Sequence, residues 1–254
     1  MKASVQIYSI RESGDLDHQM ALLRQTGFEW VESVATHGLS AADFAAKLDQ
    51  HGLKLSSMHV GLALLEQAAE RDRLIEACRL TGCRLIIMPW LPMGERPATG
   101  AGWVALGRRL AGLSDLLRAA LPDLRVAYHN HEWELLEYDG KPALDWIFSA
   151  TTPAQLGWEA DLGWVRRAGA DPLAWATRHG DRLLAVHAKD IAAHGTAVAE
   201  DGWTVLGQGI VGWPALFAAL KPRVDLFVFE HDKPVEFEAT LRGSRACMRE
   251  HLGV

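Results

Sequence analysis

The chain has 254 residues, 49% of them apolar and 23% charged, with a net charge of −6 at neutral pH. That length suits one α/β barrel as well as two average domains, and the apolar content can fill a large core. Lysine and arginine are scattered along the chain, so no basic stripe points to nucleic acid. The start, MKASVQIYSI, goes straight into an alternating strand, which predicts neither a signal peptide nor a membrane span. Three cysteines, Cys78, Cys83 and Cys247, show no CxxC spacing and predict free thiols in a cytoplasmic protein.

Short apolar runs alternate with helical patterns eight times along the chain. The expected strands are Ser4–Ile10, Phe28–Val34, Lys54–Val60, Arg84–Trp90, Arg125–His131, Gln155–Asp161, Leu184–Lys189 and Leu226–Glu230. All are rich in residues that fit a pleated, buried surface. Between them, Asp15–Thr26, Ala41–His51, Leu65–Leu80, Trp103–Ala120 and Pro172–His179 place Leu and Ala at three- and four-residue spacing, the mark of amphipathic helices. Ser40 stands as an N-cap with Gly52 past the helix end. Asp171-Pro172 is a second cap, with Pro at the first helical position and Gly180 closing the helix. Such alternation with short connections implies parallel pairing and right-handed crossovers. Eight units predict closure into a single (β/α)8 TIM barrel over residues 1–254, with loops Leu91–Gly102 and Ala192–Gly209 on the face that carries chemistry.

Four of the later strands end on metal-type ligands: RVAYHNH with Glu134 just beyond, QLGWEAD, LAVHAKD and DLFVFEHD. Side chains two apart share a face, so His129 and His131, Glu159 and Asp161, His187 and Lys189, and Glu230 and Asp232 form pairs. The set Glu134, Asp161, His187 and Glu230 offers three oxygens and one imidazole. It suits one divalent ion, Mn²⁺ first, with Mg²⁺, Co²⁺ or Zn²⁺ as alternatives. Such an ion can grip neighbouring sugar oxygens and stabilise the enediolate left by proton removal. Glu230, Glu134 or His131 would move that proton. The alternative for Asp161, His187 and Glu230 is a salt-bridge network with Lys189 and Arg166. Candidates for substrate contact are His59, His129, Lys189, Glu32, and the aromatic faces of Trp90 and Trp133. Gly207-x-Gly209 reads as a tight turn, since it lacks the flanks of a phosphate loop.

The runs YHNHEWE (Tyr128–Glu134), DLGWVRRAGADP (Asp161–Pro172), HGDRLLAVHAKD (His179–Asp190), GQGIVGWPAL (Gly207–Leu216) and FEHDKP (Phe229–Pro234) resemble the xylose-isomerase-like barrels. These form the sugar phosphate isomerase/epimerase superfamily, which also holds inosose dehydratases, hydroxypyruvate isomerases and endonuclease IV. The similarity is closest to a subgroup with a YHNHxxEF signature, from which Leu135 departs conservatively. The resemblance implies a divalent ion held at the ends of strands five to eight. Asp161, His187 and Glu230 match directly, and Glu134, Glu132 or His131 would supply the fifth-strand ligand.

The activity expected is a metal-dependent isomerase or epimerase of a sugar, keto-sugar or sugar phosphate. A lyase dehydrating an inosose or 3-keto-sugar shares its first step. A non-catalytic sugar-binding barrel is a third reading. An endonuclease IV-like phosphodiesterase would need more ligands and a basic surface. The expected partner is a small sugar-like molecule, and exposed Trp and Leu on outer helices would permit a homodimer.

Overall fold

Eight parallel strands close on themselves in the order β1–β8–β7–β6–β5–β4–β3–β2. They are β1 (Lys2–Gln6), β2 (Trp30–Val34), β3 (Lys54–His59), β4 (Leu85–Met88), β5 (Arg125–His129), β6 (Gly157–Asp161), β7 (Leu183–Ala188) and β8 (Leu226–Phe229). The computed structural model covers residues 1–254. Around the strands lie α1 (Leu16–Gln25), α2 (Ala41–Gln50), α3 (Leu62–Leu65), α4 (Ala68–Thr81), α5 (Gly100–Ala120), α6 (Ala143–Ser149), α7 (Leu162–Arg167), α8 (Pro172–Arg178), α9 (Trp213–Leu220) and α10 (Phe237–Leu252). The expected (β/α)8 barrel is therefore the observed one.

The caps read from sequence hold. Ser40 accepts a hydrogen bond from Asp43 N, and Asp171 accepts from Leu173 N and Ala174 N. None of the helices is long and apolar enough to cross a membrane. Cys78, Cys83 and Cys247 are free.

Strand periodicity divides the core in two. Ile86, Met88, Val126, Tyr128, Val186, Phe227 and Phe229 face the helices and join the main apolar cluster. Their neighbours Leu85, Ile87, Ala127, Ala185, Leu226 and Val228 form a separate small cluster inside the barrel. Continuing that inward parity toward the C-terminal ends gives His129, His187 and Glu230. The barrel interior thus changes from an apolar floor to a polar layer within one side-chain step.

Several boundaries differ from expectation. The first strand stops at Gln6, whose side chain accepts from Tyr8 N and turns residues Ile7–Ile10 into a 3-10 helix. Pairing also ends before His131, Lys189 and Glu230, so these residues stand on the rim just above the sheet. The helix expected over Leu65–Leu80 is α4, which begins at Ala68 because Gln67 adopts extended backbone; Leu65 ends the separate one-turn α3. Of the two long loops, Leu91–Gly102 contains a 3-10 turn at Met93–Glu95 and gives way to α5 at Gly100. In the other, Trp203–Thr204 pairs antiparallel with Asp190–Ile191.

Candidate active site

Above the apolar floor, eight ionisable side chains pack together in two buried tiers. Glu32, His59, His129, Glu159, Asp161, His187, Lys189 and Glu230 are each no more than 6% exposed. They converge because each faces inward from β2, β3 or β5–β8, Glu32 and Glu159 from mid-strand and the others from near or just beyond the C-terminal strand ends. Over them opens a cavity of about 430 Å³. Its polar floor is His59, His129, His131, Lys189, Glu230 and Asp232, and Tyr8, Val34 and Trp90 form a more apolar side.

Two groups of four donors are close enough to hold an ion: His129, Asp161, His187 and Glu230, and beneath them His59, His129, Glu159 and His187. In the upper group His129 Nε2 lies 3.7 Å from Asp161 Oδ2. His187 Nδ1 lies 3.9 Å from that oxygen and 3.2 Å from Glu230 Oε2. Each of its residues comes from a different one of the last four strands. Asp161 Oδ2 is buried with no hydrogen bond, although Lys189 Nζ lies 3.2 Å away. The Lys189 ammonium compensates this oxygen in part, and the two carboxylates and two imidazoles gathered here are a donor set of the kind a divalent ion takes. Asp161 Oδ1 is occupied elsewhere, accepting from Trp164 N at the start of α7.

Lys189 supplies the positive charge among these carboxylates. Its Nζ is 2.6 Å from Glu230 Oε2, 3.2 Å from Asp161 Oδ2 and 3.0 Å from Asp232 Oδ2. Burial alone would lower its pKa, but the three acids override burial and raise it, so the amine stays protonated. Burial also pushes Glu230 up, yet Lys189 and His187 hold it below the usual carboxylate range. Asp161 is raised to about 6, chiefly by burial. Glu159 reaches about 7 through burial and the nearby charge of Glu32. His131 is pushed well below the ordinary range, first by burial and then by Lys189, and is neutral.

The residues singled out from sequence fall into three sets. Asp161, His187 and Glu230 come together as expected, joined by Lys189 from the salt-bridge alternative; Arg166 takes no part. His59, His129, His131, Lys189 and Trp90 line the cavity. Three others do not. Glu134 is fully buried in a 3-10 turn, where its oxygens accept from Tyr128 Oη (2.6 Å) and His131 N (2.7 Å), and it joins neither donor group. The fifth-strand member of both donor groups is His129. Glu32 lies beneath the cavity, bound by Gln6, Ser57, His59 and His187. Trp133 does not line the cavity; it stacks on His131 with ring centroids 4.3 Å apart and carries the Arg96 guanidinium on its other flank.

Other contributors were not singled out. Glu159 shares its inward face with Asp161 but lies one step deeper, 3.0 Å from His129 Nδ1. Asn130, between the two histidines, accepts from Asp161 N and Trp158 Nε1 and donates to Asp161 O, pinning β6 beside β5. The Gly207-x-Gly209 turn wraps the Asp190 carboxylate, which accepts from Gly207 N, Gly209 N, Val211 N and Ile191 N. The turn therefore already contains its anion. A Cβ at Gly209 would fall on Asp190 Oδ1 and Ile191 O. Gly209→Ala should accordingly cost about 1–3 kcal/mol, read as a melting temperature several degrees lower; an unchanged midpoint would show that the loop yields freely.

The sequence profile of the xylose isomerase-like TIM barrel matches residues 20–251. Rhizopine catabolism protein MocC of Rhizobium meliloti is 27% identical over 233 residues, covering 81% of this chain and 70% of that protein. Inosose dehydratase of Geobacillus kaustophilus is 22% identical over 235 residues, covering 80% and 75%. Among solved structures, a sugar phosphate isomerase/epimerase from Parabacteroides distasonis superposes with a TM-score of 0.79 at 18% identity, covering 98% of this chain and 93% of that one. With the profile spanning nearly the whole barrel, this chain belongs to the xylose isomerase-like TIM-barrel family.

Proposed function

We propose that the protein is a metal-dependent enzyme that removes a carbon-bound proton beside the carbonyl of a sugar-like substrate, leading to isomerisation or epimerisation. The observation that carries this reading is the convergence of His129, Asp161, His187 and Glu230 at the base of an open cavity. These four would hold the ion. When bound, it supplies Lewis-acid stabilisation of the negative oxygen that develops as the proton leaves.

Two groups facing the cavity are tuned in opposite directions, a pattern that assigns acid and base. His131 is kept neutral and can accept the substrate proton. Lys189 is kept charged and can donate a hydrogen bond, or a proton, to the substrate oxygen. Trp133 fixes the His131 ring by stacking, while Tyr8, Val34 and Trp90 offer a less polar face for the carbon skeleton. Glu134 supports this arrangement from below, through its bond to His131 N.

A second reading, dehydration by loss of a β-hydroxyl from the same intermediate, is favoured by the similarity to an inosose dehydratase. In that reaction Lys189 would protonate the departing hydroxyl.

The test is hydrogen exchange into D₂O from a panel of keto-sugars and keto-inositols, with Mn²⁺-loaded and chelator-treated protein. Exchange that needs the ion and leaves the skeleton intact supports isomerisation or epimerisation. Accumulation of an unsaturated ketone selects the dehydratase. No exchange with any member of the panel counts against both.

A further inference from the structure

His129 and His187 each face two neighbourhoods with opposite edges of the ring. His129 turns Nε2 toward Asp161 Oδ2 and Nδ1 toward Glu159 Oε2, at 3.7 and 3.0 Å. His187 turns Nδ1 toward Glu230 and Asp161, and Nε2 toward Glu32 Oε1 at 2.6 Å and Glu159 Oε2 at 3.2 Å. A neutral imidazole has one lone pair and one N–H, so each ring can ligate on only one side.

Distance decides which side. Two ligands about 2.0–2.2 Å from one ion stand roughly 3.0–3.6 Å apart, whereas hydrogen-bonded atoms stand about 2.7–3.2 Å apart. Of the upper contacts, those at 3.7 and 3.9 Å are too long for hydrogen bonds and lie just above ligand spacing, while His187 Nδ1 to Glu230 Oε2 at 3.2 Å falls within both ranges. The lower contacts, including His59 Nε2 to Glu159 Oε2 at 2.7 Å and to Glu32 Oε1 at 2.9 Å, have hydrogen-bond spacing. Both groups touch the cavity, the upper through His129 and Glu230 and the lower through His59 and His129, so spacing rather than access separates them.

Building on the metal-dependent reading above, we infer that Glu159 and Glu32 are positioning residues for the ion. They accept the inward N–H groups of His129 and His187, leaving His129 Nε2 and His187 Nδ1 to ligate from above. Glu32 is itself fixed by Gln6 Nε2 at 2.9 Å and by the Ser57 hydroxyl. A relay therefore runs from β1 and β3 through a carboxylate and an imidazole to the ion. Such outer partners hold the ring orientation and raise ligand basicity, and losing one typically weakens metal binding about 10–100-fold.

The test uses Zn²⁺ as a diamagnetic probe and two-bond ¹H–¹⁵N correlation spectra of the histidine rings. The zinc-bound protein should show His129 protonated at Nδ1 and metal-shifted at Nε2, and His187 protonated at Nε2 and metal-shifted at Nδ1. The opposite pattern, with the ion among His59, His129, Glu159 and His187, would overturn the inference while leaving the metal reading intact. In parallel, Glu159→Gln and Glu32→Gln should bind Mn²⁺ about 10–100-fold more weakly than the wild type; unchanged affinity in both would also overturn it. A wild-type protein that takes up neither ion would remove the metal reading and this inference with it.

Discussion

Asp161→Asn should fold, keep the start of α7 and, on the proposed metal reading, bind Mn²⁺ far more weakly than the wild type. Asparagine caps helices about as well as aspartate, and the cap uses Oδ1, which the amide retains toward Trp164 N. What disappears is the negative charge on Oδ2, the buried oxygen without a hydrogen bond. Since even residues that merely orient a ligand are worth about 10–100-fold in affinity, removing a charged ligand should weaken Mn²⁺ binding by more than about 100-fold. Manganese titration followed by electron paramagnetic resonance would read this, with circular dichroism confirming the fold. Wild-type affinity in the variant would place the ion elsewhere.

Lys189→Met separates charge compensation from metal binding. The ammonium stands among Asp161, Glu230 and Asp232, all within 3.2 Å. Taking one partner from a buried ionic cluster costs about 3–5 kcal/mol, which for a chain of this size lowers the melting temperature on the order of 10 °C. Added Mn²⁺ should restore much of that loss, because binding to the folded state alone stabilises it and the ion replaces the missing positive charge. Affinity for the ion should hold or rise, as no ammonium competes for Asp161 and Glu230. Turnover should fall about 10²–10⁴-fold if Lys189 serves as the acid. An unshifted melting temperature would show that the ion pairs add nothing net, and undiminished turnover would remove Lys189 from the chemistry.

Much of this site was legible because strand geometry is repetitive. A two-residue period makes HxH, ExD, HxK and ExD at four strand ends into inward-facing pairs, and that sufficed to bring Asp161, His187 and Glu230 together. Depth was not legible. Glu159 and Glu32 look like their neighbours in sequence, and only the closed barrel shows them one layer lower, bonded to imidazoles rather than facing the cavity.

Glu134 shows the other limit. Its place after HNH suggested a ligand reaching back from the loop. Residues Trp133–Leu135 instead form a 3-10 turn, which points the carboxylate at Tyr128 Oη and His131 N. The helix pattern at Leu65–Leu80 is right except at its start: the periodicity reads across Gln67, but the extended backbone there delays the helix to Ala68. The glycines at 207 and 209 could be read as a turn, but the Asp190 carboxylate they enclose lies 17 and 19 residues away.

The six-residue floor of Leu85, Ile87, Ala127, Ala185, Leu226 and Val228 has a kinetic meaning. It fills the barrel beneath the polar layer with apolar side chains, so the barrel axis offers no second way into the cavity. A product of the proposed reaction would therefore leave by the side its precursor entered, and its accumulation would slow turnover by competition for the same cavity.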